Sequence, residues 1–398
     1  MGKGAYIGVG GVAKKVKKMY VGVGGVAKKV KKAYVGVNGV AKLWYLYGPE
    51  FIKQSNIEVR MATTTDTYLN KYEQPAWGPN FAAYKYDSET SGTVVFINAS
   101  LSSTIKAGSS TGMNYLNSFS GGQLGNYALH WGAEEYDNSD DTYTPSTNAF
   151  AHNSSYTTTK ITSTGLHYNS SFANIGSYAL MVGGGRTAGS GSGNPYGNVN
   201  WINTSLTKGT LDSISGSDEL GARSGRGNSA YGMFFRAGGT TYAYNIELTR
   251  TTVGSKDTSL VYDSTAGNDN WVIEHRGYTN AYNKTVAYNT SLTATNMGSS
   301  ALATRYGGTE TAISSSTVSI FPGGAMERTE SGTVITEVLT SIRLIDESLT
   351  ITYAEEDLTA VGSGNYATRS IPSAKIGDTF LFPLDGTRPN INVYKLEV

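Results

Sequence analysis

Val286-Ala-Tyr-Asn-Thr-Ser-Leu292 reads as a β-strand running into a turn. Val286 and Tyr288 alternate with smaller or polar neighbours, and Asn289, Thr290 and Ser291 carry side chains that hydrogen-bond their own backbone. The stretch recurs. Val95-Phe-Ile-Asn-Ala-Ser-Leu101 and Asn200-Trp-Ile-Asn-Thr-Ser-Leu206 are the same seven residues in kind. Weaker copies stand at Phe150-Ala-His-Asn-Ser-Ser-Tyr156, Tyr242-Ala-Tyr-Asn-Ile-Glu-Leu248, Arg343-Leu-Ile-Asp-Glu-Ser-Leu349 and Asn392-Val-Tyr-Lys-Leu-Glu-Val398. Self-similarity at a period of about fifty residues marks an architecture of repeated supersecondary units.

Each copy is preceded by another strand, as in Tyr127-Ala-Leu-His-Trp-Gly132, Tyr178-Ala-Leu-Met-Val-Gly-Gly-Gly185 and Trp271-Val-Ile-Glu-His-Arg-Gly277. A loop joins the two into an antiparallel hairpin. A Thr/Ser-rich stretch such as Thr249-Arg-Thr-Thr252 follows as an outer strand, and a segment such as Leu220-Gly-Ala-Arg-Ser-Gly225 leads into the next hairpin. Four short strands per repeat make one blade of a β-propeller. The expected fold is therefore all-β, a propeller of seven blades over residues 81–398. Its last repeat lacks an outer strand and its first lacks a leading one. Residues 45–80 are expected to supply both, with 56–61 pairing with 392–397 and 67–72 opening the first blade, because a ring of sheets needs its edges paired.

Composition agrees with turn-rich β structure. Of 398 residues 49 are Gly and 28 Tyr, and charged residues are only 16%. Cys is absent, which removes disulfides, thiolate metal sites and cysteine nucleophiles. No apolar run approaches a membrane span, and lysines interrupt every apolar stretch near the N-terminus, unlike a secretory signal. Charge is asymmetric. Residues 1–42 hold ten Lys and no acid, while the remainder holds 22 basic and 31 acidic residues, a balance of −9.

The basic arm, residues 1–44, has a period of fourteen. Ala5-Tyr-Ile-Gly-Val-Gly-Gly-Val-Ala-Lys-Lys-Val-Lys-Lys18 repeats from Met19 and again from Ala33. The Lys-rich half permits a basic amphipathic helix, but three Gly among β-branched residues cost about 1 kcal/mol each against helix. Val37-Asn38-Gly39-Val40 is a two-residue hairpin signal. The reading is short strands joined by Gly turns, with Lys blunting the edges. Tyr6, Val9, Val12, Tyr20, Val23, Val26, Tyr34, Val37 and Val40 are the candidate assembly residues. So short an arm buries no core alone and needs copies of itself or a partner. A flexible basic tail is the bland alternative. A nucleic-acid arm is disfavoured, since neither aromatics nor Arg interleave with the lysines.

The arm closely resembles a repeat at the N-termini of tail and surface proteins of Firmicutes prophages, carried by the Gly-Val-Gly-Gly-Val-Ala-Lys-Lys-Val-Lys-Lys units of residues 5–44. The body, with its Tyr-Ala-Leu-hydrophobic-Gly-Gly pattern, resembles the kelch-like repeats that follow that arm, although most repeats lack the late Trp of orthodox kelch. The resemblance implies a virion protein of the tail, made in the bacterial cytoplasm without a signal peptide. It implies a homo-oligomer, a trimer by analogy with tail fibres. The arm would dock on other virion or tail proteins, and the propeller would meet a host surface glycan or protein. Neither nucleic-acid binding nor membrane insertion is expected.

Little in the chain points to catalysis. His130, His152, His167 and His275 show no metal-ligand spacing. Glu134-Glu135, Asp140-Asp141 and Glu355-Glu356-Asp357 lie in loops, where solvated acids are ordinary; a glycosidase needs a second carboxylate across a cleft, and calcium, the competing use, has no motif here. Asp263 to Trp271 is weakly similar to a sialidase Asp box, with the wrong spacing. A copper-radical oxidase needs a cysteine. The Asn-x-Ser/Thr sites at Asn98, Asn153, Asn203, Asn283 and Asn289 are mostly the repeat's own turn. No cofactor is expected. Loops between paired strands vary from tight at 237–240 to long at 132–147, 183–198 and 322–341, and variable loops on a repeated scaffold are where binding is carried. Tyr136, Tyr143, Tyr196, Tyr278 and Arg186 are the candidate binding residues, tyrosines stacking on sugar rings. A propeller glycoside hydrolase and a bacterial surface adhesin are the alternatives to a tail-associated structural protein.

Overall fold

The structure, a computed structural model, describes residues 6–9, 12–15, 19–30, 32–37, 40–46, 50–55, 57–58, 75–86, 93–113, 116–117, 120–137, 142–164, 170–182, 198–214, 225–235, 240–255, 263–276, 284–298, 312–322, 325–330, 333–338, 341–354, 358, 373–383 and 390–397. The chain divides into two units, Met1–Glu50 with Glu397–Val398, and Phe51–Leu396.

In the first unit each fourteen-residue repeat is one β-hairpin. Tyr6–Val9 pairs with Val12–Lys15, Tyr20–Val23 with Val26–Lys29, and Lys32–Val37 with Val40–Leu46. Tyr6 stands opposite Lys15, Tyr20 opposite Lys29 and Tyr34 opposite Leu43; Val9, Val23 and Val37 face Val12, Val26 and Val40 across the turns. Gly24 and Gly25, at φ 61° and 79°, both take the left-handed conformation of a type I′ turn, which an L side chain resists. The amphipathic helix is thus excluded. Each hairpin is a two-stranded sheet of its own, and Tyr20, Val21 and Val23 are 56%, 49% and 49% exposed.

The second unit is a seven-bladed propeller. Blade 1 is Ala76–Trp77, Phe81–Tyr86, Thr93–Asn98 and Ser103–Ala107; blade 2 is Ser120–Leu124, Tyr127–Trp131, Ala149–His152 and Thr158–Ile161. Blade 3 is Ser171–Ile175, Tyr178–Val182, Asn198–Asn203 and Lys208–Ser213; blade 4 is Gly225–Gly227, Gly232–Phe234, Thr240–Tyr244 and Arg250–Ser255. Blade 5 is Asp263–Gly267, Trp271–Arg276, Lys284–Asn289 and Ala294–Gly298; blade 6 is Ile313–Ser314, Val318–Pro322, Ile342–Asp346 and Ile351–Tyr353. Blade 7 is Ala374–Ile376, Thr379–Pro383 and Asn390–Glu397, closed by Glu50–Lys53. The first strands of neighbouring blades lie against one another, so they are the inner strands around the axis.

The recurring motif is the third strand with its turn to the outer strand. In six blades the Asn or Asp at its fourth position accepts two backbone N–H bonds at 2.8–3.1 Å, as Asn289 Oδ1 does from Ser291 and Thr293. The seventh residue is left-handed: Leu101, Tyr156, Leu206, Leu248, Leu292 and Leu349 have φ of 58–62°. This is a type I turn closed by a left-handed residue, a position that usually takes Gly or Asn. Leu there costs about 1 kcal/mol of backbone strain. The offset is packing. Leu101, Tyr156, Leu206, Leu248, Leu292 and Leu349 each half-bury against a different apolar cluster.

Seven clusters fill the seven gaps between blades. Leu101, for example, joins Val95 and Ile97 of blade 1 to Leu381 and Val393 of blade 7. Leu292 joins Val272 and Tyr288 of blade 5 to Met233 and Phe235 of blade 4. In these two blades the motif's last residue is a staple to the preceding blade.

Closure differs from the expected register. Glu50–Lys53 is the outer strand on Asn390–Glu397, and of the expected 56–61 the described residues Ile57 and Glu58 pair further along it, opposite Ile391 and Asn390. Phe51 is the reason. It is 1% exposed, stacks on Tyr394 at 5.0 Å and meets Phe380 and Phe382 edge-on. No such ring is available in 56–61. Blade 1 opens with Ala76–Trp77, opposite Ala83 and Ala82; the expected opening stretch, 67–72, lies outside the described residues.

Candidate functional site

Strand order places two kinds of connection at opposite ends of the ring. The inner strand turns into the second, and the third turns into the outer, at one end. The loops between second and third strands, and the crossings to the next blade, lie at the other. Two of those loops carry hairpins of their own. Glu134–Asp137 pairs with Thr142–Pro145, and Leu116–Asn117 adds a third strand on Glu134–Asp137. Ala325–Glu330 pairs with Thr333–Val338 in blade 6.

Of the sequence candidates, Tyr136 and Tyr143 stand directly opposite each other in the blade 2 hairpin. Arg186, Tyr196 and Tyr278 lie outside the described residues, as do Asp140, Asp141, Glu355, Glu356 and Asp357. Glu134 and Glu135 pair with Pro145 and Thr144. Asn98, Asn153, Asn203 and Asn289 are turn formers through their side-chain oxygens, as the repeat reading holds. No helix is long and apolar enough to cross a membrane, and no group of three His, Asp or Glu suited to a metal occurs among the described residues.

Sequence spacing missed one constellation. His130 and His152, both fully buried in blade 2, place Nδ1 and Nε2 3.0 Å apart, and His152 Nδ1 lies 2.8 Å from Thr158 Oγ1. Aligning the hairpin would have found it, since Ala128 pairs with His152 and His130 with Phe150. One imidazole nitrogen must donate and its neighbour accept, so a doubly protonated pair would set two donors against each other. Burial pushes the His152 imidazole down to about 3. The neutral ring is favoured by the fold while the unfolded chain takes a proton below about pH 6.5. Stability is therefore complete above that value and falls as pH drops toward 3, by about 1.4 kcal/mol per pH unit. Urea midpoints between pH 7 and 4 measure it, and His152→Gln is expected to flatten the slope by one proton's worth.

A belt of contacts runs around the axis at one level of the inner strands. The level is set by the pairing of Trp77 with Ala82, Gln123 with Ala128, Asn174 with Ala179, Gly227 with Gly232, Gly267 with Val272, Ser314 with Ser319 and Lys375 with Phe380. Contacts at this level cross from blade to blade. Asn174 Nδ2 donates to Gln123 O at 2.7 Å, Gly267 N donates to Ser314 Oγ at 2.7 Å, and Lys375 Nζ donates to Ser314 O at 2.7 Å. Gly227 and Gly267 approach the preceding blade without side chains. A Cβ on Gly227 would fall 2.1 Å from Asn174 O, and one on Gly267 2.2 Å from Gly227 O.

The chain matches no protein-family model and no curated protein. Among solved structures it is similar to virginiamycin B lyase from Staphylococcus aureus, at 12% identity over 87% of this chain and 100% of that one, with a TM-score of 0.47. It is also similar to BamB from Moraxella catarrhalis, at 10% identity over 80% and 82% of the two chains, with a TM-score of 0.38.

Proposed function

We propose that the protein is a non-enzymatic, tail-associated virion protein whose arm assembles it and whose propeller recognises a host surface. The exposure of Tyr20, Val21 and Val23 on a two-stranded hairpin carries the first half of this reading. Such a hairpin is marginal in water by itself, and the arm repeats its sequence three times. The lysines of the arm keep that surface soluble until it is covered. The arm's resemblance to prophage tail repeats supports the virion assignment. The second half rests on how the ring is built. One end repeats the same Asn-led turn blade after blade, while the other varies in loop length and bears two extra hairpins. Variation confined to one end of a constant scaffold suits recognition of a surface glycan or protein.

Light scattering decides the assembly half. The full chain is expected to run as an oligomer and a chain beginning at Gly48, which keeps Phe51, as a monomer. A monomeric full chain at the same concentration overturns it.

A further inference from the structure

Arg343, the first residue of the recurring motif in blade 6, is a buried cation without an ion pair. It stands opposite Phe321 on one side and Tyr353 on the other. It is 9% exposed, and among the described residues neither Nε nor Nη1 finds a hydrogen-bond acceptor. The guanidinium carbon lies 5.4 Å from the centre of the Tyr353 ring, a cation–π contact, and Tyr353 is itself 58% exposed. Burial pulls the guanidinium below its ordinary value and Tyr353 acts in the opposite sense; no carboxylate among the described residues does. The ring of blades asks for no charge here. At the same place in the motif the other six blades carry Val95, Phe150, Asn200, Tyr242, Val286 and Asn392. A buried guanidinium without an anion lowers stability.

The neighbouring blade brings no acid to this face. Phe321, Ile345 and Ile351 pack with Ile273 and Ala287 of blade 5, so the face that carries Arg343 looks toward that blade. Two residues further along, blade 5 presents His275 and Thr285, joined at 3.0 Å, with Gly298 opposite Thr285. A Cβ on Gly298 would meet nothing within 4 Å. Side chains alternate along a strand, so Glu274 faces the other way with Val272, toward blade 4. The third strand starts at Ile342 and reaches its Asp-led turn at Asp346. Arg343 and Tyr353 therefore lie at the opposite end, the one with variable loops, on the blade that bears the Ala325–Glu330 and Thr333–Val338 hairpin.

We propose that this rim of blade 6 binds a carboxylated sugar, the carboxylate on Arg343 and the sugar ring along Tyr353; this rests on the surface-recognition reading and names its ligand class. A carboxylate supplies both the charge and the acceptor that the guanidinium lacks, at charge-assisted distances of about 2.7–2.9 Å. One cation beside one exposed aromatic ring matches a uronate, which carries a single charge on a ring with apolar faces.

The test is saturation-transfer NMR on the full chain with methyl glucuronide, methyl glucoside and glutamate. Transfer is expected to the glucuronide and not to the glucoside, to be lost in Arg343→Gln and to fall several-fold in Tyr353→Ala. Ligand-free Arg343→Gln is expected to melt at or above the parent, because it removes a charge that the fold leaves unpaired. A lower Tm would mean that the chain itself supplies the partner, Glu355, Glu356 and Asp357 included, and overturns the proposal. So does equal transfer to glucoside, to glutamate, or to a folded Arg343→Gln. Should Arg343→Gln not fold, that too counts as the lower Tm, and undiminished transfer in Tyr353→Ala, a surface change, is decisive against the site. The probes involve no host cell, so a negative result removes the acidic-sugar class and leaves surface recognition to be tested by cell binding.

Discussion

Gly227→Ala is expected to cost at least 3 kcal/mol and to leave little folded protein at 37 °C, although it adds one methyl group. Asn174 O would stand 2.1 Å from the new Cβ, and Tyr231 O and Asn174 C at 3.1 and 3.2 Å. None of these is the end of a flexible side chain. To relieve the clash, the inner strands of blades 3 and 4 must move apart. Gly267 sits with its own α-carbon against Gly227 O, so the displacement passes to blade 5. A closed ring has no free end to absorb it. Overpacking a core costs about 1–3 kcal/mol where side chains can shift, and here they cannot. Gly232, directly opposite Gly227 in the sheet, is the control. Its added Cβ would meet Ala173 Cβ at 3.3 Å and Leu180 Cδ1 at 3.4 Å, and the matching positions of blades 2 and 3 are Ala128 and Ala179. Gly232→Ala should stay within about 1 kcal/mol of the parent. Urea unfolding of the two variants reads both; equal midpoints would show that the belt is slack.

The same contrast shows what the sequence makes legible. The motif ending at Leu292 could be counted because its third strand is long and its turn needs Asn at one fixed position. Both demands are local, and local demands leave a repeated trace. Count, strand order and the end of the ring that carries the variable loops all followed. The left-handed Leu was not legible, since a Leu closing a strand looks like core until the turn's geometry is known. The belt was less visible still. Its inner strands are as short as Ala76–Trp77 and Ile313–Ser314. At the belt level they hold Trp, Gln, Asn, Gly, Gly, Ser and Lys, which share no chemistry. Four of them solve one problem, reaching the preceding blade's backbone, by different means: a long polar side chain in blades 3 and 7, none in blades 4 and 5. Arg226 and Lys375 belong to that level and its neighbour, 149 residues apart in sequence numbering, and only the ring brings both to carbonyls of blade 6, Ala312 O and Ser314 O. Of the loop tyrosines, Tyr136 and Tyr143 take paired positions because both lie on a hairpin that their own β-propensity favours.

Phe51→Ala is expected to lower stability by about 3–5 kcal/mol, more than any single change on an outer strand elsewhere in the ring. Outer strands are normally the cheap ones. Ser103–Ala107 of blade 1 alternates exposed and half-buried positions, with Ile105 48% exposed. Blade 7 is different because its fourth strand comes from the other end of the chain and no short turn holds it there. Chain connectivity lets a frayed outer strand re-pair at once in blades 1 to 6; in blade 7 no such turn joins the fourth strand to Asn390–Glu397. Affinity must then come from the strand itself, and Phe51 supplies most of it. Its ring fills the space between Phe380, Phe382 and Tyr394, beside Leu344 and Leu396 in the cluster that joins blades 6 and 7. Truncations separate the strand from the arm. A chain beginning at Gly48 should melt within a few degrees of the full protein, whereas one beginning at Ser55 should melt far lower, because it exposes the edge of Asn390–Glu397 and the empty aromatic socket. Equal melting of the two truncated chains would mean that three strands suffice to close the ring. The expected difference instead makes the second residue of Glu50–Lys53 the latch of a ring whose other six blades are closed by their own turns.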